Sequence, residues 1–178
     1  MSKIKLKNVR LSFPSLFNRA TFDGVETKFE ATFLLDKETQ ADQIAVVNKA
    51  IDALLKEKFP KGAPKSVKRT VFSDGDLRDY DGYSGTYAFK GTNNTRPTVI
   101  NRDRSPIVEA DNVLYAGCYV NAVVDLWYSD HTKGGKQILG NVKGVQYSKE
   151  GKPFGIDTTA ADDDFDDISD EEFDSFLD

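Results

Sequence analysis

Residues 114–147, LYAGCYVNAVVDLWYSDHTKGGKQILGNVKGVQY, carry the clearest structural pattern in this chain. From 114 to 128 the even positions are almost all aliphatic or small, whereas the odd positions carry polar and aromatic side chains, among them Trp127. This alternation is typical of a long β-strand with one buried face. Gly134-Gly135 then predicts a tight turn, after which residues 136–147 pair with the first strand as a β-hairpin.

The chain before this hairpin contains further strand-like segments and one helix. Residues 3–13 and 27–35 alternate between apolar and polar side chains, with a turn signal at Asp23-Gly24 between them. A shift of phase near Asn8 predicts a β-bulge in the first strand. Residues 40–58 place apolar side chains at helical spacing, which predicts one α-helix inserted among the strands.

These elements predict a mostly β fold. A small closed barrel of the OB type would remove exposed edge strands, but periodicity alone does not separate such a barrel from a β-sandwich. Residues 157–178 contain 11 of the 29 acidic residues and neither Lys nor Arg. Such a segment buries too little apolar surface to order itself. We therefore expect a folded domain over residues 1–156 and a disordered acidic tail over residues 157–178.

The net charge of −5 hides two oppositely charged regions. Without the tail, 18 acidic residues oppose 24 Lys and Arg, so the body carries +6 and the tail −11. A basic body indicates a polyanionic partner. No apolar run is long enough for a membrane span and no signal peptide is apparent, so we expect a cytoplasmic protein without membrane contact. The single cysteine, Cys118, excludes an intramolecular disulfide and a cysteine-based zinc site.

Residues suited to catalysis are few. The one histidine, His131, lies beside the predicted Gly-Gly turn, where a solvated side chain is the usual outcome. The stretch SDGDLRDYDG places four aspartates between Asp74 and Asp81, where a magnesium ion would find carboxylate oxygens. Turn chemistry explains the same residues without a metal. We predict a protein that is not an enzyme and needs no cofactor, with a metal-dependent nuclease that uses the Asp74–Asp81 cluster as the alternative.

Residues 80–104 combine cations with aromatic side chains. Arginine donates paired hydrogen bonds to phosphates, and flat aromatic rings stack on bases. This combination is therefore typical of proteins that bind single-stranded nucleic acid. The aromatic residues suit a protein core equally well, and parity does not say which face of the strand around residues 83–89 is buried. The run of cations and aromatic residues predicts DNA contacts at Tyr80 and Lys90. The outer face of the long strand adds Trp127.

Three stretches carry a more specific signal: YSGTYAFKGTNNTRPTVINRDRSPI at 83–107, LYAGCYVNAVVDLWYS at 114–129, and GKPFG at 151–155 leading into the acidic tail. Together they resemble a family of bacteriophage single-stranded DNA-binding proteins. The resemblance implies an OB-type barrel that covers single-stranded DNA during phage replication or recombination, in the host cytoplasm. Carried over by position, it implies DNA contacts at Arg96, Arg102, Arg104, Tyr83, Tyr87 and Tyr119.

The tail has a pattern of its own. Ser169 and Glu172 resemble a capping box, and apolar residues follow at helical spacing. The resemblance implies that the tail recruits replication or recombination proteins and limits unproductive binding. The predicted partner contacts are Phe173, Phe176, Leu177 and Asp178. A module whose main work is protein interaction through this tail is the second alternative, while weaker binding to duplex DNA and a homo-oligomer are left open.

Overall fold

The computed structural model of the chain describes residues 3–155 and 162–170. Its strands are β1 (Ile4–Ser15), β2 (Thr21–Phe22), β3 (Val25–Glu26), β4 (Phe29–Asp36), β5 (Phe72–Asp74), β6 (Thr86–Asn93), β7 (Thr98–Ile100), β8 (Tyr119–His131) and β9 (Gly135–Lys149). The α-helix of this part of the chain, α1 (Ala41–Lys58), follows β4, in agreement with the helix predicted over residues 40–58. Short 3-10 turns lie at Gly75–Leu77, Glu109–Asp111 and Asp162–Asp164.

Five strands close into a barrel in the order β6-β4-β1-β8-β9, and a parallel pairing of β6 with β9 completes the ring. β5 extends the sheet beside β6, and β7 extends it beside β9. A five-stranded barrel of this kind is the OB architecture. The prediction of a mostly β, OB-like barrel with one inserted helix is therefore confirmed, and the sandwich is not the fold.

The parallel seam that closes the barrel joins Gly91 to Gly140. A Cβ atom on Gly140 would lie 2.6 Å from the side chain of Val71 and 3.0 Å from the ring of Phe89. Glycine is therefore required at this position by the close approach of neighbouring atoms, not by an unusual backbone angle.

Replacing Gly140 with alanine is expected to lower the free energy of unfolding by about 1–3 kcal/mol, because the added methyl group overpacks the seam. The matched control is Gly144→Ala in the same strand, where a Cβ would meet its nearest atom, the carbonyl oxygen of Thr98, at 3.4 Å. Chemical denaturation of both variants measures the difference. Equal loss in the two variants would contradict the seam as the cause.

The core lies inside the barrel and under α1. The even positions of β8 from Val120 to Leu126 are buried, as the alternation predicts. β8 itself begins at Tyr119, five residues later than the alternation suggests, because Gly117 leaves the extended conformation with φ 110°. A Cβ atom on Gly117 would lie 2.3 Å from the carbonyl oxygen of Lys152, so the backbones of the two segments touch there.

The predicted irregularities of the chain are present. The pairing of β1 with β8 shifts between Leu6 and Val9, and Asn8 has φ 51°, so the bulge predicted near Asn8 is confirmed. Asp23 and Gly24, with φ 52° and 77°, form the two-residue turn that joins β2 to β3. Gly135, with φ 71°, begins β9 after the turn from β8.

The described part of the tail, residues 162–170, is exposed throughout and contains one short 3-10 turn. The division into a domain of residues 1–156 and a disordered tail stays a prediction. The predicted partner contacts Phe173, Phe176, Leu177 and Asp178 lie outside the described residues. Over the described ranges, the chain has no helix that meets the length and hydropathy needed to cross a membrane.

Candidate nucleic-acid interface

A groove of about 330 Å³, which we call the front groove, lies on the outer face of β4 and β6. Its lining residues are Phe13, Glu30, Thr32, Thr70, Ser73, Arg78, Tyr80, Tyr83, Ala88 and Lys90. β4 and β6 are the second and third strands of the barrel in chain order. In OB folds this face, together with the loops after the first and fourth barrel strands, is the usual oligonucleotide-binding surface.

Aromatic rings form one wall of the front groove. The ring centres of Phe13 and Tyr80 lie 5.1 Å apart, and those of Tyr80 and Tyr83 also lie 5.1 Å apart. Phe13 is 55% exposed and Tyr80 is 50% exposed, so both rings offer surface to a ligand. Exposed rings beside a cationic groove are the arrangement that stacks on unpaired bases.

The sequence pattern does not single out Phe13, because it reads as one more apolar residue of the first strand. The pairing of β1 with β4 shifts between Ser12 and Ser15, and Phe13 has φ 45°. At this irregular point of β1 the backbone of Phe13 is left-handed, and its ring lies outside the core. A non-glycine residue held at positive φ is strained, and such strain is frequent at functional sites. The proline that follows Phe13 was the one local signal of an irregular strand end.

Tyr83 forms the floor of the front groove rather than an open wall. Its side chain is 4% exposed, and its hydroxyl lies 3.0 Å from the Ser12 hydroxyl in a hydrogen bond. Burial raises the pKa of the Tyr83 phenol. Tyr83 belongs to a small apolar cluster outside the barrel with Leu34 and Ala88, against which Phe154 packs. Its role visible in the structure is to support Tyr80.

Tyr87 and Lys90 lie on opposite faces of β6, although the sequence places them in one basic and aromatic run. Lys90 is exposed in the front groove, where its Nζ lies 3.4 Å from the Glu30 carboxylate. Tyr87 instead packs against the main core, where its ring stacks on Phe72 with a centre distance of 5.1 Å. The Nζ of Lys37 lies 5.0 Å from the centre of the Tyr87 ring. Tyr87 is therefore not brought into the groove.

Two arginines lie over Phe29 at the start of β4, outside the lining of the front groove, and Arg96 lines a separate pocket with Phe17 and Val99. The guanidinium carbons of Arg19 and Arg96 lie 5.0 and 5.9 Å from the ring centre of Phe29. Arg19 donates hydrogen bonds to the carbonyl oxygens of Thr27 and Asn94, and so ties the loop after β1 to the loop after β6. Arg78, which lines the front groove, and Arg19, which lies over Phe29, are cations that the sequence pattern does not single out.

Trp127 occupies the outward side of β8, opposite the buried residues of that strand. The Nζ of Lys28 lies 5.9 Å from the centre of the Trp127 ring, which links β8 to the loop after β1. The indole Nε1 of Trp127 is shielded from solvent and finds no acceptor among the described residues. Trp127 is thus outside the lining of the front groove but next to a loop that OB folds use for binding.

The remaining predicted DNA contacts lie away from the front groove. The Arg102 guanidinium donates to the carbonyl oxygen of Ser148 in β9 at 2.9 Å. Tyr119, on the outward side of β8, has the Nζ of Lys149 4.8 Å from its ring centre. Arg104 is exposed at φ 69° in the turn after β7. The structure therefore divides the predicted contacts between two faces of the barrel.

The aspartates of the alternative nuclease site have other partners. The Nζ of Lys37 lies 2.7 Å from an oxygen of Asp74 and 2.7 Å from an oxygen of Asp76. These hydrogen bonds hold the pKa of both carboxyl groups below its usual value. Asp81 accepts a hydrogen bond from the backbone of Gly155 at 2.9 Å. Residues 3–155 and 162–170 show no cluster of His, Cys, Asp and Glu suited to a metal ion. The hypothesis of a metal-dependent nuclease therefore has no support in this part of the chain.

Comparison with known proteins agrees with this geometry. The family model described as Enterobacter phage Enc34, ssDNA-binding protein, matches residues 2–176. Putative protein p50 of Acyrthosiphon pisum secondary endosymbiont phage 1 is 35% identical over 176 residues, which cover 94% of each chain. The ssDNA-binding protein of bacteriophage Enc34, solved in complex with ssDNA, superposes with a TM-score of 0.74 at 29% identity, over 86% of this chain and 89% of that one.

A more distant structure shows how far the fold extends. The gp2.5 single-stranded DNA-binding protein of bacteriophage T7 superposes with a TM-score of 0.54 at 10% identity, over 90% of this chain and 99% of that one. At that identity the likeness concerns the fold alone.

Proposed function

The chain belongs to the family of the Enterobacter phage Enc34 ssDNA-binding protein, and we propose that it binds single-stranded DNA in the front groove. The family and its solved neighbours are DNA-binding proteins and not enzymes, in line with the prediction from the sequence. The observation that supports this site is the pair of half-exposed rings, Phe13 and Tyr80, on the β4–β6 face beside Arg78 and Lys90.

The bases stack on Tyr80 and Phe13 in this mechanism. Each stacked base contributes about 1–3 kcal/mol, and because every base has a flat face this energy carries little sequence preference. The buried Tyr83 and its bond to Ser12 fix the floor beneath Tyr80, so the ring is held in place before DNA arrives. A wall held in advance loses less conformational entropy when the ligand binds.

The phosphates bind to the cations that border the rings. Arg78 and Lys90 line the groove, and Arg96, which lies over Phe29 outside the groove, supplies a further phosphate contact where the strand leaves it. Glu30 pairs with Lys90 in the free protein, and a phosphate that takes Lys90 must replace this contact. Each phosphate neutralised releases counterions, so the affinity falls as salt is added.

Single strands are preferred over duplex DNA for the same reasons. The bases of a duplex already cover each other's faces, so Tyr80 and Phe13 have nothing on which to stack. The phosphates of a duplex still attract the cations, which gives weaker binding that depends on salt.

The biological role follows from the family and from the tail. We propose that the protein covers single-stranded DNA exposed during phage replication or recombination, in the cytoplasm of the infected cell. The acidic tail, residues 157–178, then recruits other replication proteins through Phe173, Phe176, Leu177 and Asp178. With 11 acidic residues and no basic one, the tail also limits binding by opposing the DNA backbone.

A titration of labelled oligo-dT followed by fluorescence anisotropy tests this function, with a duplex of equal length as the control. We expect the single strand to bind about ten- to hundredfold more tightly, which is the energy of one or two stacked bases, with an affinity that falls as salt rises. A chain truncated after residue 156 should bind more tightly than the full chain at low salt. Equal affinity for duplex and single strand would remove stacking from the mechanism, and equal affinity of the two chains would remove the limiting role of the tail.

A further inference from the structure

The strands β2 and β3 form a hairpin outside the barrel, which pairs with no other strand of the described chain. Its six residues, from Thr21 to Glu26, are all exposed, and we call them the arm. Phe22 and Val25, which are 73% and 65% exposed, lie directly opposite each other, so their side chains share one face of the arm. Two large apolar side chains held together in water indicate a surface that a partner covers.

The arm is acidic and its shape is fixed. Asp23 and Glu26 are its charged residues, and its six positions contain no cation. The nearest cations along the chain, Arg19 and Lys28, lie over aromatic rings of the barrel, and a backbone hydrogen bond from Ala20 to Lys28 continues the ladder of the arm at its base. The two carboxylates would repel a phosphate backbone, so a DNA strand is a poor partner for the arm. A cationic surface with an apolar lining suits it.

A groove of this chemistry, which we call the rear groove, crosses the outer face of β1, β8, β9 and β7 and has a volume of about 440 Å³. None of the residues that line it in the described chain is acidic, and four are lysines: Lys3, Lys5, Lys7 and Lys143. Lys143 forms an ion pair with Asp125 at 3.5 Å, just outside the lining, and no such pair is seen for the other three lysines among the described residues. These three cations can therefore face an acidic partner.

The apolar lining of the rear groove is aliphatic. Ile100 and Val123 are partly exposed there, and within the described chain no aromatic ring lines the groove. A DNA strand would find charge there but no surface on which its bases could stack. The rear groove instead fits an acidic protein segment that carries apolar side chains, which is the chemistry of the arm.

One molecule presents both surfaces, because no residue of the arm lines the rear groove of its own chain. We infer that the arm of one copy docks in the rear groove of a second copy, with its two apolar side chains on the aliphatic lining and its two carboxylates facing Lys3, Lys5 and Lys7. Two different surfaces meet in this contact, so each copy that joins still offers a free arm or a free groove. The contact therefore builds a row of copies and not a closed dimer.

The contact itself needs no DNA, and only its use rests on the proposed function. Neither the arm nor the lysines of the rear groove line the front groove, so docked copies keep their DNA sites open. An arm of this size buries far less than the ~1,200 Å² of a stable interface, so the contact is weak between free copies. Copies bound side by side on one strand are held close together, and the contact then favours binding of the next copy at the end of a row.

Paramagnetic broadening between copies of the full chain tests the inference. The sample mixes isotope-labelled chains with chains that carry no isotope but a nitroxide at Thr21→Cys, on the face of the arm away from Phe22. The nitroxide can be placed selectively, because Cys118 is fully buried. Broadening in this mixture comes only from a second copy. We expect the amide of Lys90 in the front groove to keep its intensity, and more than half of the intensity to be lost at the rear-groove amides of Ala122, Val123 and Gly144.

Two sets of variants check the cause of the broadening. In the nitroxide chain, Phe22→Ser should abolish it, whereas Val46→Ser, which removes a side chain 55% exposed on α1, should not. In the isotope-labelled chain, glutamine in place of the lysines should abolish it at Lys3, Lys5 and Lys7 but not at Lys56, Lys58 and Lys61. Equal effects of both lysine triples would mean that only the net charge matters, and the groove would not be the docking site.

Other broadening patterns would overturn the inference. Loss of signal in the arm itself would mean that two arms pair with each other, and loss at Ala88 and Lys90 would place the arm in the front groove of the second copy. No selective loss anywhere would mean that the arm does not dock on another copy. Rear-groove amides that are not broadened but shift on addition of oligo-dT would make the rear groove a DNA track. Shifts of the Tyr80 and Lys90 amides with oligo-dT report on the front groove separately, so failure of the proposed function remains distinguishable.

Discussion

Tyr80→Ala is expected to weaken binding of oligo-dT by about five- to hundredfold, and Phe13→Ala by a similar factor, because each change removes a ring on which one base stacks. Both rings are half-exposed and lie 5.1 Å apart, so each can hold a base without rearrangement. Loss of stacking leaves the phosphate contacts in place. The slope of affinity against salt should therefore stay close to that of the unaltered protein.

The conservative variant separates stacking from other effects of the change. Tyr80→Phe keeps the ring and should bind oligo-dT almost as tightly as the parent chain, whereas Tyr80→Leu keeps only apolar volume and should not. Leu77→Ala, at a residue 83% exposed near the groove, is the control for loss of local apolar surface. Anisotropy titrations of these three variants and of Tyr80→Ala and Phe13→Ala give the comparison. Full affinity in Tyr80→Leu would show that Tyr80 does not act by stacking.

The barrel strands were predictable because their signal is local. The alternation in β8 marks its buried face, and the phase shift at Asn8 marks the bulge in β1. The closure of the barrel was not predictable in this way, because it joins Gly91 to Gly140 across 49 positions of the chain. Periodicity describes which face a strand buries and says nothing of which distant strand lies beside it.

The site was predictable in composition but not in arrangement. The pattern placed Tyr87 and Lys90 in one binding run, but side chains of a strand alternate between faces, and three positions separate these two. Tyr83 lies before β6, in the turn-rich segment, so parity could not assign its face. Phe13 faces the groove because of a positive φ at an irregular strand end, and no alternation pattern predicts such an angle.

The aspartates from Asp74 to Asp81 are another case in which the sequence alone does not decide the role of a residue. The sequence alone allows either a metal site or a set of turns. The residue that decides between them is Lys37, which is remote in sequence and bonds both Asp74 and Asp76. A neutralising cation supplied by a distant element makes these carboxylates structural, and only the packing of the turn after β4 against β5 brings it there.

The division of the cations between two faces leads to a second prediction with a large effect. Lys90→Gln combined with Arg96→Gln should weaken binding of oligo-dT and make its dependence on salt shallower. Each phosphate contact to a single strand contributes about 0.7 to the slope of log affinity against log salt concentration, so the double variant should lose about 1.4. The loss of affinity should be similar for all base sequences, because phosphates carry no sequence information.

The matched control is Arg102→Gln combined with Lys149→Gln, which removes the same charge from the other face of the barrel. Arg102 is bonded to the backbone of β9, and Lys149 lies over Tyr119, so neither lines the front groove. If the DNA follows the front groove, the control should keep most of the slope, since at moderate salt charges more than about 10 Å from the strand are screened. An equal loss of slope in both double variants would mean that the strand passes over both faces, and the rings of Phe13 and Tyr80 would then mark only part of its path.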